Sequence, residues 1–388
     1  MLSLLLPIIY LSFISLGLPD GLLGAAWPTM YPALDVPVSY SGIVYMIISI
    51  GTVISSLQSD RLTKRFGTGK ITAVSVAMTA VALFGFASCR SFPALCLWAI
   101  PYGLGAGSVD ASLNNYVALH YESKHMSWLH CMWGIGATTG PYIMGAILSG
   151  GGIWNSGYRA IGFIQIALVA VLFLTLPLWK TSQSSQEEAP SAPLKLKEIF
   201  AIPGAKEIMV TFFCYCALEQ TAGLWAASYL VLNRGVDAET AASFASMFFL
   251  GITLGRLVNG FIAMRFSDDT MIRMGLAIIA LGVMLILLPL GRICALIGLV
   301  VAGVGCAPVY PCIIHSTPEH FGTENSQALV GVQMASAYVG TSLMPPLFGL
   351  IANHVSIALF PWYLLGILVL MAVMYRRMQK QTAQVHTK

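Results

Sequence analysis

Long apolar stretches separated by short polar ones recur along the whole chain. A helix needs about 20 mostly apolar residues to cross a bilayer, and the sequence contains twelve stretches of roughly that length or more. The pattern therefore predicts twelve membrane-spanning helices. They cover residues 2–34, 39–59, 70–88, 92–120, 125–150, 158–179, 204–232, 238–265, 270–288, 292–318, 325–352 and 357–376.

The first apolar stretch has the position of a secretory signal peptide but not its pattern. It lacks a basic region at its start and a small-residue cleavage site, and Asp20 interrupts its apolar run. We therefore expect it to be a true span.

The composition favours a membrane protein over a soluble enzyme or binding module. Hydrophobic residues make up 57% of the chain and charged residues 9%, whereas soluble domains carry about 25% charged residues. The net charge of +4 is too small and dispersed for a nucleic-acid surface. The eight cysteines show no CxxC or histidine pairing, so we read them as small hydrophobic residues. We expect no metal, no cofactor and no nucleic-acid partner, and a monomer in the lipid bilayer.

The distribution of basic residues fixes the expected orientation, because cytoplasmic loops carry an excess of Lys and Arg. With the N-terminus inside, 15 basic residues fall on the cytoplasmic side and four on the other, and both termini are cytoplasmic. The cytoplasmic set is Arg61, Lys64, Arg65, Lys70, Lys124, Lys180, Lys195, Lys197, Lys206, Arg265, Arg273, Arg376, Arg377, Lys380 and Lys388, and the opposite set is Arg90, Arg159, Arg234 and Arg292.

One long polar interval divides the spans into two sets of six. It is rich in Ser, Gln, Glu and Pro, a composition that cannot bury a core. We therefore predict an N-terminal six-helix bundle (1–179), a cytoplasmic linker (180–203), a C-terminal six-helix bundle (204–376) and a cytoplasmic tail (377–388).

The two halves also repeat one pattern, at an offset close to 200 residues. Glycine is common in this chain, but matches in several spans, in order and at nearly one offset, indicate an internal repeat. The matched pairs are Gly51 with Gly251, Arg65-Phe66 with Arg265-Phe266, Gly103 with Gly303, Gly105 with Gly305, Gly136 with Gly340, Pro141 with Pro345, Gly145 with Gly349, and Asp20 with Glu219.

Two acids lie within the predicted spans of the first half. Asp20 is surrounded by small residues at three- and four-residue spacing, which lets a ligand or a neighbouring backbone come close. Asp110 shares one face of its helix with Gly103 and Asn114. The residues 200 positions after Asp110 and Asn114 are Tyr310 and Ile314, so this acid occurs in only one half. Buried carboxylates of this kind either load and unload cations or bond structurally to another helix.

Two six-helix halves in parallel repeat are typical of alternating-access transporters. In this respect the sequence resembles the major facilitator superfamily. The loop from Ser59 to Lys70 is similar to the superfamily's loop between spans two and three, with Thr63 where a glycine is common. Within the superfamily the chain most resembles the fucose–galactose–proton symporters and the sodium–glucose transporter group. The stretches that carry this resemblance are Leu18 to Leu23, Gly103 to Asp110 with Asn114, Leu129-His130 with Gly134 and Gly136, and Tyr215 to Trp225.

The resemblance implies the all-α major facilitator fold and cation-coupled symport of a small polar solute, with a monosaccharide expected and H⁺ or Na⁺ as the coupling ion. Family members couple protons through acids in spans one and four, and Asp20 and Asp110 match those positions. The acid in span four is Asp here instead of the family's Glu. We add Glu219, the repeat partner of Asp20, to the coupling set.

Polar and aromatic residues at membrane depth are candidates for binding the solute, because rings stack on sugar C–H surfaces and amides or imidazoles bond to hydroxyls. His130 and Trp133 share a face of the fifth span. The alternative for each candidate is a helix-bridging or membrane-interface role. The full candidate set is Asn114, Asn115, His130, Trp133, Gln220, Trp225 and Gln333.

Four charged residues are candidates for a gate or latch. Asp60, Arg61 and Arg65 lie where the second span meets a basic loop, so they either latch neighbouring helices or only set topology. Arg256 lies inside the eighth span, about 13 Å from its cytoplasmic end. Its partner is Glu219, Asp110 or an anionic solute, and the sequence leaves these three open.

Two other functions compete with the symporter. Gly136 to Gly145 resembles the antiporter motif of span five, with altered spacing, and would suit a proton-coupled exporter of lipophilic or drug-like compounds. A membrane enzyme or sensor is disfavoured because no nucleophile elbow, phosphate-binding loop or appended soluble domain is recognisable. We expect a multi-pass protein of a bacterial inner (plasma) membrane that is not an enzyme.

Overall fold

The computed structural model describes residues 2–37, 40–183, 194–236 and 238–386. The described chain is almost entirely helical and contains no β-strand. The helices are α1 (Leu2–Gly17), α2 (Leu22–Ala33), α3 (Ser41–Phe66), α4 (Thr68–Ser88), α5 (Phe92–His120), α6 (Ser123–Ser149), α7 (Trp154–Leu174), α8 (Leu176–Gln183), α9 (Leu196–Ile199), α10 (Ala205–Arg234), α11 (Ala238–Ile262), α12 (Asp268–Leu287), α13 (Arg292–His315), α14 (Thr317–Phe321), α15 (Thr323–His354) and α16 (Phe360–His386), with a 3₁₀ turn at Ile357–Leu359.

Each predicted span corresponds to a helix or to two consecutive helices. Within the described residues, nine spans are long and apolar enough to cross a membrane, counting α1 with α2 as one. The other three predicted spans correspond to α6, α10 and α11, which have 27, 30 and 25 residues. The all-α class is confirmed, whereas the orientation of the termini stays a prediction.

The first span is broken where the sequence predicted one continuous helix. α1 ends at Gly17 and α2 begins at Leu22, with turns between them. Pro19 supplies no backbone N–H and disfavours helical geometry at the residue before it. The backbone is instead held by short-range bonds, from Asp20 N–H to the Gly17 carbonyl at 3.1 Å and from Leu22 N–H to the Pro19 carbonyl at 3.2 Å. Asp20 therefore lies within the first predicted span, but at the break between its two helices.

The chain forms two compact units. Unit 1 comprises Met1–Tyr116 and Leu129–Leu194, and unit 2 comprises Val117–Trp128 and Lys195–Lys388. Residues 184–193 of the predicted linker lie outside the described residues, and so do 387–388 of the predicted tail. The predicted domain limits assigned the whole connection between α5 and α6 to the first bundle, whereas 117–128 belongs to unit 2.

Helix packing repeats between the two units at the same offset as the sequence. Gly103 lies against the carbonyl of Ile48, and Gly303 lies against that of Phe248, 200 residues later in each case. The glycines that follow repeat this relation, since Gly105 packs on Ser75 and Thr79, and Gly305 packs on Gly275 and Ile279. Equivalent helices thus approach each other at equivalent glycines.

The closest crossing in unit 1 joins the first span to α6. Gly136 and Gly140 lie against the carbonyls of Ile14 and Leu18, and Gly17 lies against that of Trp133. There is no room for a Cβ atom at any of these three glycines. The glycine-rich stretch of α6, which resembles an antiporter motif, therefore has a packing role here.

This crossing predicts a sharp difference between two glycines of α6. We expect Gly140→Ala to lower the free energy of unfolding by about 1–3 kcal/mol, because its methyl group collides with the backbone of the first span. Gly145→Ala is the control, since nothing lies within 4 Å of an added Cβ there. Thermal unfolding of the two purified variants measures the difference, and equal melting temperatures would contradict the assignment.

Candidate functional site

In unit 1 a chain of hydrogen bonds links an acid to a histidine. Asn114 Nδ2 donates to Asp110 Oδ1 at 2.8 Å, and Asn114 Oδ1 lies 2.9 Å from His130 Nε2. All three side chains are buried, and Asn114 is fully enclosed. We call these residues, with Asp20 and Trp133, the acid–histidine cluster.

The order Asp110, Asn114, His130 fixes the direction of the hydrogen bonds between these side chains. An ionised carboxylate only accepts, so the amide nitrogen of Asn114 faces Asp110 and its oxygen faces the imidazole. His130 Nε2 is then the donor to Asn114. The edge of the ring also meets Phe13, with the two ring centroids 5.4 Å apart. Asn114 therefore connects the carboxylate of Asp110 to the imidazole of His130.

The crossing of the first span with α6 brings Asp20 next to Trp133. Its Oδ2 accepts a hydrogen bond from Trp133 Nε1 at 2.9 Å. The side chain of Asp20 is exposed and that of Trp133 is half-buried, so both can meet a solute. His130 and Trp133 lie one turn apart on α6, so the structure joins the Asp20–Trp133 contact to the Asp110–Asn114–His130 chain.

Two further buried amides of unit 1 lie outside the acid–histidine cluster. Asn115 is buried on α5 with 5% exposure, one position beyond the residue that joins the cluster. Gln165 of α7 bonds to both the hydroxyl and the carbonyl of Ser15, the latter at 2.6 Å. Gln165 therefore bridges α7 to the first span.

In unit 2 the charged residues at membrane depth form an arginine cluster around Arg256. Arg256 Nη2 lies 3.4 Å from Glu219 Oε2, and its guanidinium lies over the Tyr310 ring, 5.7 Å from the centroid. The Tyr215 hydroxyl donates to Glu219 and also lies 3.0 Å from the carbonyl of Cys306. Of the three possible partners of Arg256, the structure shows Glu219.

The arginine cluster leaves one strong donor unused. Arg256 is 3% exposed, and its Nε is buried without a hydrogen-bond partner among the described residues. A buried guanidinium is costly unless an anion and several acceptors surround it. Glu219 supplies the anion through one nitrogen only, so the cluster retains capacity for another acceptor.

The remaining solute candidates of unit 2 lie outside the arginine cluster. Gln333 is fully buried and exchanges hydrogen bonds with the hydroxyl of Thr317 at 3.1–3.2 Å. Trp225 Nε1 donates to the carbonyl of Pro345 at 2.9 Å. Gln220 is half-buried on α10. Gln333 and Trp225 thus join helices to one another.

The three predicted latch residues near the end of α3 differ in burial and in contacts. Asp60 is buried and binds Lys64 at 3.1 Å and the backbone N–H of Leu194 at 3.2 Å, so it holds the end of the linker. Arg61 and Arg65 are exposed, and Arg65 lies over the ring of Phe66. The latch assignment of all three stays a prediction.

Sequence reasoning missed a polar cluster at the start of α12. Asp268 bonds to Ser123 and to His315 Nδ1 at 2.5 Å, and His315 Nε2 bonds to the carbonyl of Tyr121 at 2.9 Å. Asp269 meets His320 at 3.1 Å and also accepts from the hydroxyl of Tyr375. The available signal was the Asp268-Asp269 pair, because two adjacent acids are unusual on the predicted cytoplasmic side, where basic residues predominate.

Contacts to α11 and α12 explain why 117–128 belongs to unit 2. Trp128 Nε1 donates to the carbonyl of Leu257 at 3.2 Å, and its ring packs on Phe261 and fills the space beside Gly260. At the turn itself Glu122 pairs with Lys124 at 2.8 Å, which holds the pKa of Glu122 below its usual value. Hydrogen bonds and aromatic packing therefore fix this segment on α11 and α12.

Comparison with known proteins decides the family. The model of the Major Facilitator Superfamily matches residues 9–298 and 208–386, which together cover nearly the whole chain. The chain belongs to the major facilitator superfamily. It is accordingly a multi-pass membrane transporter and not an enzyme.

Individual superfamily members are only distantly similar. An uncharacterized transporter of Sinorhizobium fredii is 22% identical over 93% of this chain and 96% of its own. Bypass of stop codon protein 6 of Saccharomyces cerevisiae is 25% identical over 66% of this chain, and the match spans 56% of the yeast protein's length. The glucose/mannose transporter GlcP of Bacillus subtilis is 19% identical over 66% of this chain and 65% of its own.

Solved structures show the same fold. The fucose:proton symporter FucP of E. coli superposes with a TM-score of 0.73, at 16% identity, over 96% of this chain and 98% of FucP. The proton:xylose symporter XylE gives a TM-score of 0.77 at 13% identity, over 95% of this chain and 94% of XylE. The human organic anion transporter MFSD10 gives 0.70 at 14% identity, over 94% of this chain and 98% of its own.

The buried ion pair predicts an asymmetric double-mutant cycle. Glu219→Gln leaves Arg256 charged and buried, so we expect a loss of about 3–5 kcal/mol in the free energy of unfolding. Arg256→Gln should cost less, because Glu219 can neutralise itself by taking a proton. The double variant should lose less than the sum of the two single losses. Denaturant titration measures all three, with Arg292→Gln at an exposed site as control. Additive losses would show that the two side chains do not interact.

The Asp268 cluster predicts protection of the connection between α5 and α6. Asp268→Asn weakens the bonds to Ser123 and His315, and a loss of roughly 1.5 kcal/mol raises the open population about tenfold. We therefore expect tryptic cleavage at Lys124 to accelerate by about that factor. Asp35→Asn, at the exposed end of the first span, is the control and should leave the cleavage rate unchanged.

Proposed function

We propose that the protein is a cation-coupled symporter of a small polar solute, a monosaccharide, acting as a monomer in a bacterial inner (plasma) membrane. The acid–histidine cluster carries this proposal, because it connects a buried acid to an imidazole through one amide. Relatives and structural neighbours named as glucose, mannose, fucose and xylose transporters support the choice of solute. Because these proteins are only distantly similar, the proposed mechanism rests on the residues of this chain.

Asp110 is the coupling residue in this mechanism. Asp110 is buried within a span, where an ionised carboxylate is costly unless a cation accompanies it. When a proton binds Oδ1, the oxygen that accepts from Asn114, this oxygen becomes a donor and the amide of Asn114 turns to accept from it. The imidazole of His130 thereby changes the hydrogen bonds that it offers to a solute. Cation and solute are coupled because each changes the affinity for the other.

The exposed side of the cluster forms the solute contacts. The half-buried ring of Trp133 presents a face to sugar C–H groups, and the exposed carboxylate of Asp20 accepts from hydroxyls. The bond between these two residues, at 2.9 Å, holds both in place before the solute arrives. Asn115 and Gln220 stay secondary candidates, whereas Gln333 and Trp225 support the helices.

The arginine cluster favours a second candidate solute, an organic anion such as a sugar acid. The unpaired Nε of Arg256 is a donor suited to a carboxylate, and Tyr310 lies beside it. In this alternative Glu219 releases Arg256 when it takes a proton. The exporter receives no comparable support, because the glycines that suggested it serve the crossing of the first span with α6.

The test is transport by the purified protein in liposomes. We expect an inward proton or sodium gradient to drive accumulation of one neutral hexose from a panel that also contains sugar acids and lipophilic cations. Asp110→Asn should abolish gradient-driven accumulation but retain exchange of labelled for unlabelled solute, because binding survives while coupling is lost. Asp35→Asn is the matched control and should transport like the unmodified chain.

The other results would each overturn part of the proposal. Intact accumulation by folded Asp110→Asn would remove Asp110 from coupling. Accumulation of a sugar acid alone, lost in Arg256→Gln, would replace the monosaccharide by an anion. Movement of lipophilic cations alone, against the gradient, would establish the exporter.

A further inference from the structure

A long apolar groove runs along the surface of unit 2. Helices α11 and α12 both pack on α13 but make little contact with each other, so a gap stays open between them. The gap has a volume of about 500 Å³, which is within the range of ligand-binding cavities. Gly251 and Gly255 widen it on the α11 side, Met271 and Met274 form the α12 wall, and Val304 lies on the floor.

The groove has the length and depth of a lipid chain. Its lining extends from Met247 to Ile262 along α11, about 22 Å at 1.5 Å per residue. One leaflet of the hydrocarbon core is roughly 15 Å thick. The groove therefore accommodates an extended acyl chain that begins at the loop end of α11 and runs toward the bilayer centre.

One polar side chain lines this otherwise apolar surface, close to the loop end. Asn259 is 8% exposed, and its Nδ2 is buried with no hydrogen-bond partner among the described residues. An unpaired amide donor in an apolar setting is costly. Rotation of the terminal amide gives this donor to an acceptor in the groove. Asn259 lies one turn before the end of α11, at the loop end of the groove.

Positive charge surrounds the loop end of the groove. Arg265 follows α11, Arg273 lies in the second turn of α12 beside Met274, and both are exposed. Neither forms an ion pair within the described part of the chain. The neighbouring acids Asp268 and Asp269 are bonded to His315 and His320. Basic residues beside a groove between helices are typical of anionic headgroup sites.

We propose that this groove binds an anionic phospholipid. One acyl chain lies between α11 and α12 on α13, the ester carbonyl accepts from Asn259, and the phosphate lies between Arg265 and Arg273. The apolar lining excludes a sugar, and the two arginines select a negative headgroup over a zwitterionic one. The site is separate from both polar clusters, so it stands whatever solute is carried.

The experiment is lipid titration of the purified full chain in detergent, read by native mass spectrometry with short-chain phosphatidylglycerol and phosphatidylcholine. We expect preferential binding of phosphatidylglycerol. The double variant Arg265→Gln/Arg273→Gln should weaken that binding about 30-fold, since each charge near the headgroup contributes about a fivefold effect. Its binding of phosphatidylcholine should not change. Arg292→Gln, at the other end of α13, is the control for charge.

Filling the groove tests the acyl chain separately. Gly251→Leu fits the backbone, because an added Cβ meets its nearest atoms at 3.4 Å, and its side chain occupies the groove. We expect at least tenfold weaker binding of either lipid, with Gly366→Leu on α16 as control, since nothing lies within 4 Å there. If Gly251→Leu fails to fold, Leu254→Trp blocks the groove from its exposed side, with Leu281→Trp on α12 as its control.

Several results would overturn the proposal. Equal binding of both lipids that is insensitive to Gly251→Leu would show that lipid binds elsewhere. Displacement of phosphatidylglycerol by a lipophilic cation at low concentration would make the groove a solute site. A change from dimer to monomer in Gly251→Leu would show that a second copy of this chain covers it.

Discussion

Backbone contact at glycines is the constraint on which the other features of this transporter depend. In a bilayer, helices gain little from burying apolar surface against each other, so close approach and van der Waals contact hold them together. Where Gly140 meets the carbonyl of Leu18, the first span has no freedom to shift along α6. That register carries Asp20 to Trp133. The contact between Asp20 and Trp133 therefore depends on the glycines of this crossing.

The second constraint is the cost of polar groups in hydrocarbon, and the two units meet it differently. In unit 1 the buried carboxylate of Asp110 accepts a hydrogen bond from Asn114, which is bonded in turn to His130. Unit 2 pairs Arg256 with Glu219, and a change at one residue strands the other. The duplicated scaffold thus carries a hydrogen-bonded acid in unit 1 and an ion pair in unit 2.

The fold could be predicted from the sequence because a membrane leaves few alternatives. Backbone groups cannot stay unpaired in lipid, so apolar stretches of sufficient length must be helices. The break at Asp20 was missed, although Pro19 and Gly21 were visible, because hydropathy does not register a turn inside an apolar run. The acid–histidine cluster was found in part, since Asp110 and Asn114 lie one helical turn apart. The partners of Asp268 were invisible because Ser123 lies 145 residues away in the sequence, and only tertiary structure brings them together. Gln333 and Trp225 carry polar groups as expected, but hydrogen bonds to Thr317 and Pro345 of other helices satisfy these groups.

The placement of 117–128 in unit 2 bears on how this chain relates to its presumed duplicated ancestor. In the second half the corresponding turn, α14, stays within its own unit. The connection between α5 and α6 thus packs with the second half of the chain, and the repeat is not symmetric at that point. A gene cut at the linker would yield two fragments that are not equivalent, since the C-terminal one would lack the tryptophan and serine that cover α11 and α12. The two repeats are therefore not equivalent to the two compact units.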